Sequence, residues 1–330
     1  MRGKVSAGRV ISCILEGIWT AIKLIVVVGI IVTIVGVLLS RDLMIRGRSG
    51  DFEILQNESV SSVVSENKEA EDKKTAKWLK KVELEKVTLV SDDKKIMVAR
   101  KVVQKTENDN WVVILHGLNG SMEDIYDIAR NYYTKDYNVL MPDLRASGES
   151  EGSFYGMGWL DRIDIINWVD VILQDNPSAK VVVHGIDMGA DAALMLSGEA
   201  IKSSIKVVIA EGAYTSGWEA MKKEYEKRYD LPVFPILNMI NPVMKIVAGY
   251  SLKEADAVKQ VEQAKVPILL IYGTKDSYTN EEMANKLNQA IVSAHEQLMI
   301  EEGTHGDCRY VNPEQYYNTT FKFIENYVIK

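Results

Sequence analysis

The stretch Val183-His184-Gly185-Ile186-Asp187-Met188-Gly189-Ala190 joins the apolar run Lys180–Val183 to a segment rich in alanine and leucine. An apolar run of strand length that passes at once into a helical pattern needs a sharp reversal between them. Glycines two before and two after the central residue suit that reversal, because side chains there would strike the adjoining strand and helix. Gly185 and Gly189 occupy those places, and Ala190, Ala192 and Ala193 let the helix lie close to a sheet. The frame is Gly-x-Ser-x-Gly, with Asp187 where the motif has serine. The first N–H groups of the helix, from Met188 onward, point toward negative charge at position 187.

Outward from this turn, strands alternate with helices. Val82–Val90 and Ile96–Val103 alternate apolar and polar residues around Ser91-Asp92-Asp93, which predicts an antiparallel pair. The runs Trp111–Leu115, Asn138–Met141, Lys180–Val183, Val207–Ala210, Ile268–Tyr272 and Glu296–Ile300 read as strands covered on both faces. Segments of helical period lie at 121–134, 158–174, 188–199, 252–263, 280–292 and 313–328. The pattern predicts an α/β fold, a mostly parallel central sheet flanked by helices, over residues 82–330. Residues 212–250, with three prolines, several aromatics and no strand, interrupt the alternation and are expected to form a small lid over the site.

In such sheets functional residues collect where strands end. His116-Gly117-Leu118 follows the Trp111 strand, and Asp143-Leu144-Arg145, with Gly148 and Ser150, follows the Asn138 strand. Asp276 follows the Ile268 strand and His305 the last one. With Gly185-x-Asp187-Met188-Gly189 between them, these motifs resemble the α/β-hydrolase superfamily. They are most similar to its bacterial membrane-anchored branch of serine aminopeptidase-like and acyl esterase-like hydrolases. The resemblance covers about Val82 to Lys330 and implies the chain order nucleophile, acid, histidine. It implies Asp187 at the nucleophile position, His305 as general base and Asp276 as the residue that orients it. Leu118 and Met188 would supply the oxyanion N–H groups. His116, Gly117, Gly185 and Gly189 would support the site, as would Asp143 and Arg145, expected to pair with each other. His184 is expected to be structural. The implied substrate is a small ester, amide or peptide; no cofactor or metal is implied.

Asp187 leaves three readings open. A carboxylate that attacks an ester or amide forms an anhydride, a better acyl donor than the bond it broke, so an ester/amide hydrolase with this residue is impaired. Aspartate instead suits displacement at saturated carbon, on epoxides or alkyl halides, through an enzyme ester that a histidine-activated water hydrolyses. The third reading is a non-catalytic binding module at a membrane.

The N-terminal part is of a different kind. From Ile18 to Leu39 the only charge is Lys23. As a helix this run reaches about 33 Å, enough for a hydrocarbon core of about 30 Å. No small-x-small cleavage site follows it, so an uncleaved single-pass anchor over residues 1–49 is expected. Arg2, Lys4, Arg9 and Lys23 against Arg41, Arg46 and Arg48 lean toward a cytoplasmic N-terminus, with the large domain outside. Residues 50–81 read as a polar stalk ending in a short helix on which Ala76, Trp78 and Leu79 pack. The composition (330 residues, net charge −7, 47% hydrophobic, no basic stripe) gives no footprint for nucleic acid. Cys13 and Cys308 make no disulfide framework.

Overall fold

The computed structural model describes residues 7–45, 61–230 and 233–328. Arg2, Lys4, Arg46, Arg48 and the first part of the expected stalk, residues 50–60, lie outside the described residues.

Eight strands form one sheet: β1 (Glu85–Val90), β2 (Ile96–Val102), β3 (Asn110–Leu115), β4 (Asn138–Pro142), β5 (Lys180–Ile186), β6 (Ile205–Glu211), β7 (Ile268–Gly273) and β8 (His295–Ile300). Their order is β1-β2-β4-β3-β5-β6-β7-β8. β2 runs antiparallel to β1 and β4, and every pairing from β4 to β8 is parallel. The period-two geometry of strands divides their side chains between two cores. Trp111, Val113, Leu115, Val181 and Val183 face a core that includes Trp168, Tyr214 and Tyr250. Val112, Ile114 and Val182 face another built on Tyr132, Tyr316 and Phe323. Cover on both faces explains why these strands read as unbroken apolar runs.

The helices are α1 (Ala7–Met44), α2 (Ser62–Leu79), α3 (Tyr126–Tyr133), α4 (Asp161–Asp175), α5 (Met188–Ser197), α6 (Gly217–Tyr229), α7 (Ile236–Val247), α8 (Ala257–Val261), α9 (Glu281–Ala290), α10 (Cys308–Val311) and α11 (Pro313–Val328). The helix expected over 252–263 is confined to α8, which starts where the Asp256 side chain caps Lys259 N–H. The helix expected over 121–134 opens with a 3₁₀ turn at Met122–Ile125, held by a Ser121–Asp124 capping box, before α3 begins.

α2 is longer than the short helix expected at the end of the stalk. Ser61 caps its N-terminus by accepting from Val64 N–H at 3.2 Å. Val64, Glu71, Thr75 and Trp78 are buried along one side. Asn67 Nδ2 donates to Tyr310 O at 2.7 Å, Glu71 pairs with Arg130, and Trp78 meets Tyr133 at 5.7 Å between ring centroids. These contacts dock α2 on α3 and α10.

α1 contains the expected apolar span, and every side chain from Ile14 to Ile31 is exposed. Near its end Gly36 approaches α7 closely: an ideal β-carbon there would meet Met239 Cβ at 3.6 Å. Beyond α7, Ile45 forms a β-bridge with Phe154, and Met44 O accepts from Tyr155 N–H at 3.1 Å.

The turn at Gly185–Gly189 sets the spacing of β5 and α5. A β-carbon on Gly185 would lie 2.1 Å from Gly189 O, and one on Gly189 would lie 2.5 Å from Leu115 O. Gly185→Ala is therefore expected to destabilise the fold by about 2 kcal/mol or more, read as a lower denaturant midpoint for the purified full chain. An unchanged midpoint would mean that the turn tolerates side chains.

Candidate active site

Asp187 sits at the crest of the turn with φ 51° and ψ −120°, outside the regions that non-glycine residues prefer. It is held there from both sides: its N–H donates to Glu211 O at 2.8 Å, and its carbonyl accepts from Asp191 N–H at 3.1 Å. This backbone presents the carboxylate above the end of β5. Oδ2 accepts from Leu118 N–H at 2.8 Å. Gly117 makes that approach possible, since a β-carbon there would lie 2.9 Å from the same oxygen.

The other oxygen, Oδ1, lies 3.2 Å from His305 Nε2. The pairing is off the N–H axis, and Nε2 makes no aligned hydrogen bond although it is buried. On the far side of the ring, Nδ1 donates to Asp276 Oδ2 at 2.8 Å. Asp276 is itself fixed: Oδ1 accepts from Tyr278 N–H at 2.8 Å and Thr279 N–H at 2.7 Å, and Oδ2 accepts from the Thr279 hydroxyl at 2.5 Å. The structure thus brings Leu118, Asp187, His305 and Asp276 into one array, although they follow four different strands.

The charges in this array are coupled. Burial by itself would lower the His305 pKa, but the carboxylates of Asp276 and Asp187 outweigh it and hold the imidazole well above its ordinary value of 6.5. Burial likewise opposes ionisation of Asp276, yet His305 and the Thr279 contacts keep its carboxyl below the usual range. Asp191, one helical turn past Asp187, is fully buried, and desolvation together with the Asp187 charge pushes its pKa well above the ordinary value. One Asp191 oxygen accepts from Tyr214 N–H at 3.2 Å. The site therefore has one carboxylate on each side of a protonated imidazole and a neutral acid beneath.

The supporting residues divide. His116 is buried and braces the loop that carries Leu118: Nε2 accepts from Leu144 N–H at 2.9 Å, and Nδ1 lies 2.7 Å from Gly117 O. Met188 packs its side chain in the core at the start of α5. His184 sits between the hydroxyls of Tyr132 and Tyr316, 3.0 Å from each, away from the array. The expected Asp143–Arg145 pair does not form. Arg145 reaches instead to Asp164 at 2.5 Å and Asp93 at 2.8 Å. Asp143 accepts from Met122 N–H at 2.8 Å and Glu149 N–H at 2.7 Å. The carboxylate of Asp143 turns toward backbone donors in its own loops, while the long guanidinium spans to α4.

A cavity of about 540 Å³ opens on Gly117, Leu118, Asp187 and His305. Its opposite wall is α2, through Val64, Thr75, Ala76 and Leu79. Among the described residues, none from 212–250 lines this cavity, so the expected lid is not what covers it. That segment instead forms α6 and α7, and α7 packs on α1. Two site residues escaped the sequence reading: Thr279, three residues after Asp276 and also 3.2 Å from His305 Nδ1, and Gly212, against whose α-carbon the imidazole lies. The spacing Asp276-x-x-Thr279, typical of a side-chain-capped turn, was the available signal for the first. Among the described residues, no three His, Cys, Asp or Glu side chains converge as metal ligands.

Sheet order, elbow and site order together define the α/β-hydrolase fold, and this chain has it. A family model described as the alpha/beta hydrolase fold matches residues 110–234. Among curated proteins, the chain is 23% identical to the uncharacterized protein YqkD of Bacillus subtilis over 221 residues, 67% of this chain and 72% of YqkD. It is 24% identical over 200 residues to the uncharacterized protein YfhR of Escherichia coli K12, spanning 60% of this chain and 63% of YfhR. Among solved structures, the esterase Pf2001 of Pyrococcus furiosus superposes with TM-score 0.62 at 20% identity, over 75% of this chain and 94% of the esterase. The acylaminoacyl peptidase of Pyrococcus horikoshii gives TM-score 0.55 at 15% identity, over 73% of this chain and 41% of the peptidase.

The coupling has a sign that can be measured. A histidine whose folded pKa is raised adds stability that is complete below its unfolded value, near 6.5, and disappears as pH rises through the folded value. Asp187→Asn removes one of the two charges that raise it. The NMR titration midpoint of His305, assigned by its disappearance in His305→Gln, should move down, and the alkaline decline in melting temperature should begin at lower pH. An unmoved midpoint would mean that Asp187 does not bear on the imidazole.

Proposed function

We propose that this chain is a membrane-anchored α/β hydrolase of the ester/amide type in which Asp187 closes the site to acyl transfer. The observation that carries the reading is the Asp187 carboxylate itself, bridging Leu118 N–H at 2.8 Å and His305 Nε2 at 3.2 Å. Leu118 N–H is the donor that an acyl substrate's oxyanion needs, and a carboxylate oxygen already sits on it. His305 is the base that an acyl hydrolase needs, and its two acidic neighbours keep it protonated. Attack by Asp187 on an ester would give only a reversible anhydride. The names of two structural neighbours, an esterase and an acylaminoacyl peptidase, supply the substrate class: a small ester, amide or peptide. Residues 1–49 serve as the anchor, on the strength of the apolar Ile14–Leu38 segment of α1, and residues 82–330 form the hydrolase domain.

One observation favours a second reading, displacement at saturated carbon. Asp187 Oδ1 would attack an epoxide or alkyl halide carbon, and the leaving oxygen or halide would depart with the bonding pair. The ester so formed removes a negative charge 3.2 Å from His305 Nε2. The imidazole would then lose its proton more readily, just when a base must take one from the hydrolytic water. Attack of that water at the ester carbonyl would release the alcohol and regenerate the carboxylate.

Asp187→Ser separates the two readings. Under the first, the wild-type chain ignores p-nitrophenyl esters and fluorophosphonate probes, and Asp187→Ser gains both activities. Freeing one oxyanion donor is worth about 3 kcal/mol of barrier, so the gain should exceed about a hundredfold. Under the second, the wild type turns over epoxides or alkyl halides, and His305→Gln accumulates an alkyl ester on Asp187 detectable by mass. Robust ester turnover by the unmodified chain would overturn both.

A further inference from the structure

We infer that α7 and the turn before it lie on the lipid bilayer, so that the hydrolase domain rests on the membrane beside its anchor. The inference rests on reading α1 as a membrane span and goes beyond it by naming a second membrane contact. Outside α1, Phe234 and Ile246 are the two most exposed large apolar side chains among the described residues, 74% and 84% accessible, and Val247 adds to them. All three belong to one segment, Phe234 just before α7 and the other two at its end. The remaining exposed apolar side chains of the domain, such as Val103 and Val292, are single valines or one cross-strand pair, Val90 and Ile96.

What covers this segment is indicated by its neighbour. α7 packs on α1 around Gly36, within the last turn of the apolar Ile14–Leu38 segment. On α1, Ile30, Ile31, Ile34 and Leu38 are exposed at the same level. A bilayer that surrounds those residues must end close to α7. The inner face of α7 is already filled by Leu237, Ile240, Val243 and Met244, so its exposed apolar residues are not needed for the core. The flanking chemistry is that of a headgroup region: Lys245 pairs with Glu254, and Lys253, whose N–H donates to Asn241 of α7, places its ammonium 4.5 Å above the Trp218 ring. Lysine stems and an indole at the boundary are common features of interfacial segments. A helix with one apolar face in the core and apolar residues left at its outer edge fits a monotopic contact.

The test uses the full chain in phosphatidylcholine/phosphatidylglycerol vesicles, with Cys13→Ser and single nitroxide labels at Phe234→Cys, Ile246→Cys, Val28→Cys in mid-span and Val292→Cys as the aqueous reference. Collision rates with oxygen and with a water-soluble nickel chelate report depth. Labels at 234 and 246 should favour oxygen several-fold more than the label at 292. If 28 lies in the bilayer but 234 and 246 match 292, the inference fails while the anchor stands. If 28 is itself aqueous, both fail. If 234 and 246 are shielded from both reagents and become accessible on dilution in lipid, a second copy covers α7, and the bilayer contact is overturned.

Discussion

The site depends on a single close approach, where β5 turns into α5 with backbone against backbone. Glycine at 185 and 189 brings the first turn of α5 to within contact of β3, and only that proximity places position 187 above the sheet edge with its side chain between two loops. The strained φ of Asp187 is sustained because both its N–H and its C=O are committed, to Glu211 and Asp191. Loosening this turn would move the carboxylate away from Leu118 and His305 together.

Electrostatics then follow from depth. A carboxylate and an imidazole in water would share a proton with little consequence. Here the ring is flanked by Asp187 and Asp276 with solvent largely excluded, so each charge fixes the state of the next. Asp191 and Glu211, both fully buried, are pushed by desolvation toward their neutral forms, and this keeps a third and fourth negative charge out of the same volume. Glu211 also accepts from Tyr316 at 2.8 Å, which joins the turn to the His184–Tyr132 contacts behind the sheet. A polar chain thus runs under the elbow while the cavity opens above it.

Much of this was legible in the sequence for definite reasons. Doubly covered strands must be apolar throughout, so Trp111–Leu115 and Ile268–Tyr272 declared themselves. Strand ends collect function, so Asp276 and His305 were found by position alone. The turn glycines were found because no other residue fits. The unread features depend on distance in three dimensions. Arg145 is long enough to choose among several acids, and nothing in its neighbourhood along the chain points to Asp164, nineteen residues away. α2 is polar along most of its length and buries only a narrow stripe, so its role as a wall of the cavity left no strong periodic trace. The aromatics and prolines of 212–250 suggested a cover for the site, whereas part of their apolar character serves the contact with α1.

The join between α1 and the domain is short and stiff. Met44 and Ile45 pair with Phe154 and Tyr155, and the Tyr155 hydroxyl donates to Asn119 Oδ1 at 2.6 Å, the residue next to Leu118. Tyr155 O in turn accepts from the Tyr250 hydroxyl at 2.6 Å, just beyond α7. A tilt or pull on the N-terminal helix is therefore not absorbed by a slack tether. It arrives, within three residues of chain and one hydrogen bond, at the loop that holds the Asp187 oxygen, which makes lateral pressure in the surrounding lipid a mechanical input to the geometry of the site.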